Sequence, residues 1–293
     1  MAMLISQIID GDTLLVAVRF GGRARILNAR RSVYSLALEA ARSGVKLAEL
    51  VEQIGLGRAV DLEAASRDGR LSLPISHPDP AHLHLTGTAL PPVSAKRDTA
   101  GPPPDWIYKG NGSIAVAPGA PLIASQMTGG VAEAPALASI YVVGDDGLPF
   151  RVGFSVANMV AERAGATEWT GLNLHPRPRS ISFGPEILVG DLPSEVAGTA
   201  RAQLASATLY ERTFTAGEAR LPAALDDLER HHFSYELFRR PGDVHIHLIE
   251  LATSPARGEF DVDGFELEVP GFGLPLFNPW RAYIEQPVEV RAL

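Results

Sequence analysis

Short runs of alternating apolar and polar positions outnumber helical periods along this chain. "LLVAVRF" and "ARILN", split by Gly21-Gly22, read as a hairpin. "SVYSLALEAARSG" then carries apolar residues at helical spacing, with Ser32 as N-cap and Gly44 as stop, and "KLAELVEQIGLG" repeats the pattern up to Gly55 and Gly57. Residues 1–75 are expected to form a small α+β domain. Proline and glycine dominate residues 76–105, where Pro102, Pro103 and Pro104 favour polyproline-like geometry, so this stretch reads as a connector.

From Trp106 onward the pattern is of short strands at close spacing: "GSIAVAP", "SIYVVG", "PFRVGFSVAN", "PEILVG", "TARAQLA", "ATLYERTF", "DVHIHLIELAT" and "GEFDVDGFELEVPGFG". The best-formed hairpin turns at Gly144-Asp145-Asp146-Gly147, a D-G pair between apolar runs. One amphipathic helix, "LPAALDDLERHHF", interrupts the strands. Such punctuation predicts a β-rich barrel or roll over residues 106–293.

Composition changes this picture only by exclusion. The 293 residues are 46% hydrophobic and 20% charged, values of a globular chain long enough for a sizeable core. A net charge of -8 supplies no basic field for nucleic acid or an anionic membrane. With no cysteine, disulfides, thiolate nucleophiles and zinc-thiolate sites are excluded. No run reaches the roughly 18 apolar residues of a membrane span. The opening "MAMLISQIIDGDTLL" lacks a basic leader and meets Asp10 and Asp12 at once, so a cytoplasmic protein is expected.

Four blocks, "WIYKGNGSIAVAPGAPL", "YVVGDDGLPFRVGFSVAN", "GPEILVGDLP" and "FRRPGDVHIHLIELAT", together with the earlier "HPDPAHLHLTGTAL", resemble the fumarylacetoacetate hydrolase superfamily. The branch they are most similar to is that of 2-keto-3-deoxy sugar-acid dehydratases, and the resemblance covers nearly the whole chain. It implies an α+β fold, a small N-terminal domain followed by a β-roll of mixed, mostly antiparallel strands, and usually a homodimer. It also implies enzymes that cleave, dehydrate, hydrate or decarboxylate short 2-oxo acids bound to Mg²⁺ or a similar ion.

The resemblance further implies a Glu-x-Glu pair just before the Asp-Gly hairpin and a third acid after the next strand. Here those positions read Ala134, Ala136 and Met159, with Asn158 just before the last and Glu133 one place off. A hard cation needs such oxygens, so no metal and no other cofactor is expected. The family's lysine falls at Arg177, and its histidine-bearing turn reads Leu90-Pro91-Pro92.

Arg177, whose planar cation suits a substrate carboxylate or enolate, is one candidate for catalysis. Glu162, three places past Met159, and His175 are candidates for proton transfer. Lys109 in a glycine-rich turn, Asn158, Glu168, Trp169 and Thr253 are candidates for substrate binding. Each also has a plain reading as a loop, helix-face or core residue. His245 and His247 alternate along one strand and so share a face, a spacing that can seat a metal; no neighbouring carboxylate in the pattern completes a triad.

Three functions follow. The first is a metal-independent lyase, isomerase or cyclase acting on a small oxo-acid, enol or polyketide-like substrate. The second is a non-catalytic descendant that binds a ligand or partner, and the third a Mg²⁺-dependent sugar-acid dehydratase or hydrolase with ligands placed elsewhere. The apolar tail "VPGFGLPLFNPWRAYI", with Phe272, Phe277 and Trp280, offers surface for a dimer.

Overall fold

In a computed structural model, residues 2–88, 106–125, 131–162, 178–205, 207–221, 223–251, 262–284 and 286–293 are described. Strands β1 (Met3–Asp10), β2 (Thr13–Arg19) and β3 (Ala24–Leu27) lead into helices α1 (Val33–Ser43) and α2 (Leu47–Ile54), strand β4 (Leu56–Val60) and helix α3 (Leu62–Arg67). The start and stop of α1 are those the sequence predicts. The Ser32 hydroxyl accepts from the Ser35 amide at 3.1 Å, and Gly44 takes φ 66°, which lets the chain leave the helix without a Cβ clash.

Next come β5 (Leu83–Thr88), β6 (Trp106–Asn111), β7 (Ala115–Val116), β8 (Leu122–Ser125), β9 (Val131–Glu133), β10 (Ala136–Val143), β11 (Pro149–Glu162), β12 (Ile181–Phe183) and β13 (Ile187–Val189). β14 (Val196–Leu204) and β15 (Ala207–Ala216) precede helix α4 (Leu225–His232), and β16 (Val244–Glu250), β17 (Gly264–Glu268) and β18 (Leu276–Tyr283) follow it.

The strands make two sheets. The larger runs β4-β3-β2-β1-β13-β11-β10-β16-β5-β6, with β12, β7 and β9 attached, and the smaller runs β15-β14-β17-β18-β8. Pairing is antiparallel except at β16·β5, β12·β7 and β18·β8. The class is therefore α+β with mostly antiparallel strands.

Three features differ from the sequence pattern. The stretch read as a connector contributes β5, which is almost wholly buried and pairs along its length with β16. Its "LHLTGT" looks weak as a strand because two glycine- and proline-rich segments frame it, yet β16 supplies the ladder and the core face. Second, the N-terminal strands continue into the roll. β1 pairs with β13 through Met3↔Val189 to Ile5↔Ile187, and Arg19 on β2 pairs with the buried Glu186. Third, of the C-terminal aromatics expected at a dimer surface, Phe272 is buried, while Phe277 and Trp280 are half-buried. Phe272 is 1% exposed and Trp280 packs against the cluster around Phe265 and Leu122.

Strand β16 organises the centre of the molecule. Val244, Ile246 and Leu248 face a core shared with Leu36 of α1 and Leu50 of α2, whereas Ile249 lies with Leu225 and Leu228 of α4. His245 and His247 follow the second face, as alternation dictates, so both point the same way. Each fully buried Leu or Ile in these layers contributes about 1.5–3 kcal/mol.

Candidate active site

The carboxyl end of β16 carries an acid on the core side. Glu250 sits directly opposite Ala136 of β10, so the two side chains share a face. Lys109 occupies an irregularity of β6, between the pairs Leu85↔Gly110 and Thr86↔Tyr108. From there its Nζ donates to Glu250 Oε1 at 2.6 Å. The lysine side chain is only 2% exposed and the Glu250 side chain 24%, so the pair opens outward through the carboxylate. Gly87 makes the passage. A Cβ there would stand 2.5 Å from Lys109 Cε and 2.9 Å from the Leu248 carbonyl, so no larger residue fits beside the lysine stem.

Around this pair the positions that the resemblance assigns to metal-binding acids are apolar. Ala136 and Met159 are both 0% exposed within the main core, and Ala134 packs on it while donating its amide to the Met159 carbonyl at 2.9 Å. Two methyls and a thioether offer no hard oxygen, and Glu250 is already engaged by an ammonium. This donor set does not fit Mg²⁺ or Ca²⁺, which take six or more oxygen ligands.

Glu133 lies across the strand pair. It is opposite Val160, and the Tyr210 hydroxyl lies 3.5 Å from its Oε2. Burial pushes its carboxyl up to about 8, against the opposing pull of that hydrogen bond and of Arg212. Its Oε1 is buried without a hydrogen-bond partner. Asn158 also turns away from Lys109, donating from Nδ2 to the Phe265 carbonyl at 3.5 Å. The structure thus separates Asn158 from Lys109, two residues expected to share a substrate. The cause is alternation: Met159 takes the core side of β11, so its neighbour must take the other.

Glu162 is the last residue of β11, with its backbone paired to Val131. Arg177, His175, Glu168, Trp169 and Thr253 lie outside the described residues. Strands β5, β11 and β16 end at this edge of the sheet, at Thr88, Glu162 and Glu250.

Glu250 was missed by sequence reasoning, although "VHIHLIE" contains the signal. Val244, Ile246, Leu248 and Glu250 share one period-2 face, and an acid ending an otherwise apolar face needs a partner.

No protein-family model matches the chain, and no curated protein matches it by sequence. Solved structures do match. A 2-keto-3-deoxy-D-arabinonate dehydratase complexed with magnesium and 2,5-dioxopentanoate superposes with a TM-score of 0.70 at 13% identity, over 97% of this chain and all of that one. A 5-carboxymethyl-2-hydroxymuconate delta-isomerase from Mycobacterium smegmatis gives 0.62 at 14% identity over 96% of this chain and 100% of that one. A fumarylacetoacetate hydrolase from Exiguobacterium antarcticum gives 0.61 at 16% identity with the same coverage. The fold is that of the fumarylacetoacetate hydrolase superfamily.

Proposed function

We propose that this chain is a metal-independent enzyme, of lyase, isomerase or cyclase type, acting on a small oxo-acid, enol or polyketide-like substrate at the Lys109–Glu250 end of the large sheet. One observation carries the reading. A buried ammonium and a half-buried carboxylate, 2.6 Å apart, stand directly opposite Ala136, a position the resemblance assigns to a metal-binding acid. The solved structures of this fold include a dehydratase, an isomerase and a hydrolase, which supports catalysis on carbonyl substrates.

The chemistry follows from the pair. A substrate oxygen that approaches from the exposed side of Glu250 displaces the carboxylate from Lys109. The released carboxylate takes a proton from the carbon beside the carbonyl. The C–H electron pair moves into the new C=C bond, and the carbonyl oxygen becomes an enolate oxygen held by the ammonium. Return of the proton at another carbon isomerises the substrate, and departure of a β-hydroxyl as water eliminates it. Arg177, at the position of the family's lysine, is proposed to hold the substrate carboxylate. Glu162 and His175 are proposed as further proton carriers, and Glu168, Trp169 and Thr253 as substrate contacts.

The test is proton exchange. The full chain, desalted and without added divalent ions, is incubated in D₂O with a panel of short 2-oxo acids, and loss of the proton signal next to the carbonyl is followed by NMR. Exchange with at least one panel member, lost in Lys109→Met and Glu250→Gln, is expected. No exchange with any member, or exchange that both variants retain, contradicts the reading. Binding of an acid without exchange marks a ligand-binding descendant instead.

A further inference from the structure

At the other end of β16, on its opposite face, histidines form a connected group. Of the chain's eight histidines, six lie in one run from the surface inward. His77 and His82 have ring centroids 5.2 Å apart, and His82 Nδ1 lies 2.7 Å from Asp243 Oδ1. His84 Nε2 lies 3.1 Å from the other oxygen, Oδ2, of the same carboxylate. The His84 and His245 rings are 4.9 Å apart, His232 Nε2 is 3.1 Å from His245 Nδ1, and the His232 and His247 rings are 5.0 Å apart.

Aromatic packing does not account for this group. Phe238 stacks on His232 and meets Trp106 edge-on, so a benzene ring or an alkyl chain would fill such a wall without polar atoms. Instead His84 Nδ1, His232 Nδ1, His245 Nε2 and His247 Nε2 are all buried with no hydrogen-bond partner. The Phe238 backbone and ring stand beside the His245 imidazole. Each orphaned nitrogen costs about 1–3 kcal/mol, and two of the four belong to His84 and His245, the rings beside Asp243.

We propose that His84, Asp243 and His245 form a binding site for a divalent first-row transition cation, zinc by preference. One ligand atom from each lies within 4.8 Å of the others. A tetrahedral zinc with bonds of about 2.1 Å sets its donors about 3.4 Å apart, so the three close by roughly an ångström around the ion. Two neutral imidazoles and one carboxylate are a zinc or iron donor set, unlike the all-oxygen set of magnesium. His245 Nε2 is buried without a hydrogen-bond partner, so the ring holds a nitrogen that a metal could take.

The supporting shell is already built. His82 meets Asp243 Oδ1 and His232 meets His245 Nδ1, so each side chain keeps another atom for a metal, the arrangement that fixes a ligand's orientation at metal centres. The cation enters from the side of His82 and His84, whose side chains are 24% and 20% exposed, whereas the Asp243 side chain is 3% exposed. The site ties β5, β16 and α4 together. It lies on the opposite face of β16 from Glu250, so it is separate from the Lys109–Glu250 pair.

The experiment uses the full chain without a polyhistidine tag, stripped on a chelating resin. Zn²⁺ is titrated in competition with a chromophoric chelator, and Co²⁺ is titrated while visible absorption is recorded. Expected are one Zn²⁺ per chain and Co²⁺ d–d bands of a low-symmetry N/O site. His84→Gln, at a partly exposed position that tolerates change, and His245→Gln should each weaken Zn²⁺ binding by more than about 100-fold. His82→Gln, acting only through Asp243, should weaken it about 10–100-fold. His231→Gln, outside the cluster, should leave it unchanged. Uptake of neither ion by the folded wild-type chain overturns the proposal, as does binding that His84→Gln leaves intact.

Discussion

Strand β16 serves two regions that handle buried polarity in opposite ways. At its carboxyl end, on the core side, Glu250 and Lys109 satisfy one another at 2.6 Å among alanines and a methionine. At its amino end, on the other face, Asp243 and four buried or half-buried imidazoles leave four ring nitrogens unpartnered. Where the resemblance places metal-binding acids, the first region holds alanines and a methionine beside a fixed ammonium. The second gathers unpaired ring nitrogens, the donor type proposed to take a softer cation. A position's place in a fold therefore says little about where polar chemistry stands; the inventory of paired and unpaired buried atoms says more.

The largest effect is expected at the paired end. Glu250→Ala leaves the Lys109 ammonium buried and alone, and should cost about 3–5 kcal/mol by urea unfolding. A loss below about 1 kcal/mol would show that the lysine finds water or another partner. Gly87→Ala follows. Its Cβ meets the Lys109 stem and the Leu248 carbonyl, so a cost of about 2 kcal/mol is expected, and it should displace Nζ enough to lower exchange activity.

Glu133 gives a pH test. Its folded pKa, raised to about 8 from an ordinary 4.5, means that the folded state holds a proton the unfolded chain has released between those values. The stability it contributes is fully present below pH 4.5 and is lost as pH rises to about 8. Glu133→Gln should leave urea stability unchanged below about pH 4 and raise it near pH 9 by roughly 2 kcal/mol, the full difference of about 5 kcal/mol being reduced because Glu133 is only half-buried. Equal stability of the two proteins at pH 9 would place the ionised carboxylate in contact with water.

The smallest effect belongs to the unpaired end. His247→Met removes a nitrogen without a partner while keeping volume, at the loss of one 3.0 Å contact to Thr86 Oγ1. In metal-free protein it should cost no more than about 1 kcal/mol. A cost near that of Glu250→Ala would mean that the imidazoles are satisfied as they stand.

Local signals were legible wherever chain neighbours decide the outcome. Ser32 and Gly44 bound α1 as their side-chain chemistry requires, and Gly144 to Gly147 turn the hairpin, with Gly147 at φ 75°. The shared face of His245 and His247 follows from a period of two. Partners across the sheet were not legible. Asp243 belongs to the same alternation, Asp-x-His-x-His, yet its significance depends on His84. That residue arrives through the parallel β5·β16 pairing, which a proline-rich frame concealed. Lys109 meets Glu250 across 141 residues for the same reason, and no local pattern reports that distance.

At the Lys109–Glu250 end the proposed holder of substrate oxygen is an ammonium and no divalent cation. Calorimetric titration of the stripped chain with oxalate, a mimic of a 2-oxo acid enolate, tests it most directly. Binding without Mg²⁺, an affinity unchanged when Mg²⁺ is added in excess, and loss of binding in Lys109→Met are expected. Binding that appears only with Mg²⁺ and survives Lys109→Met would contradict it.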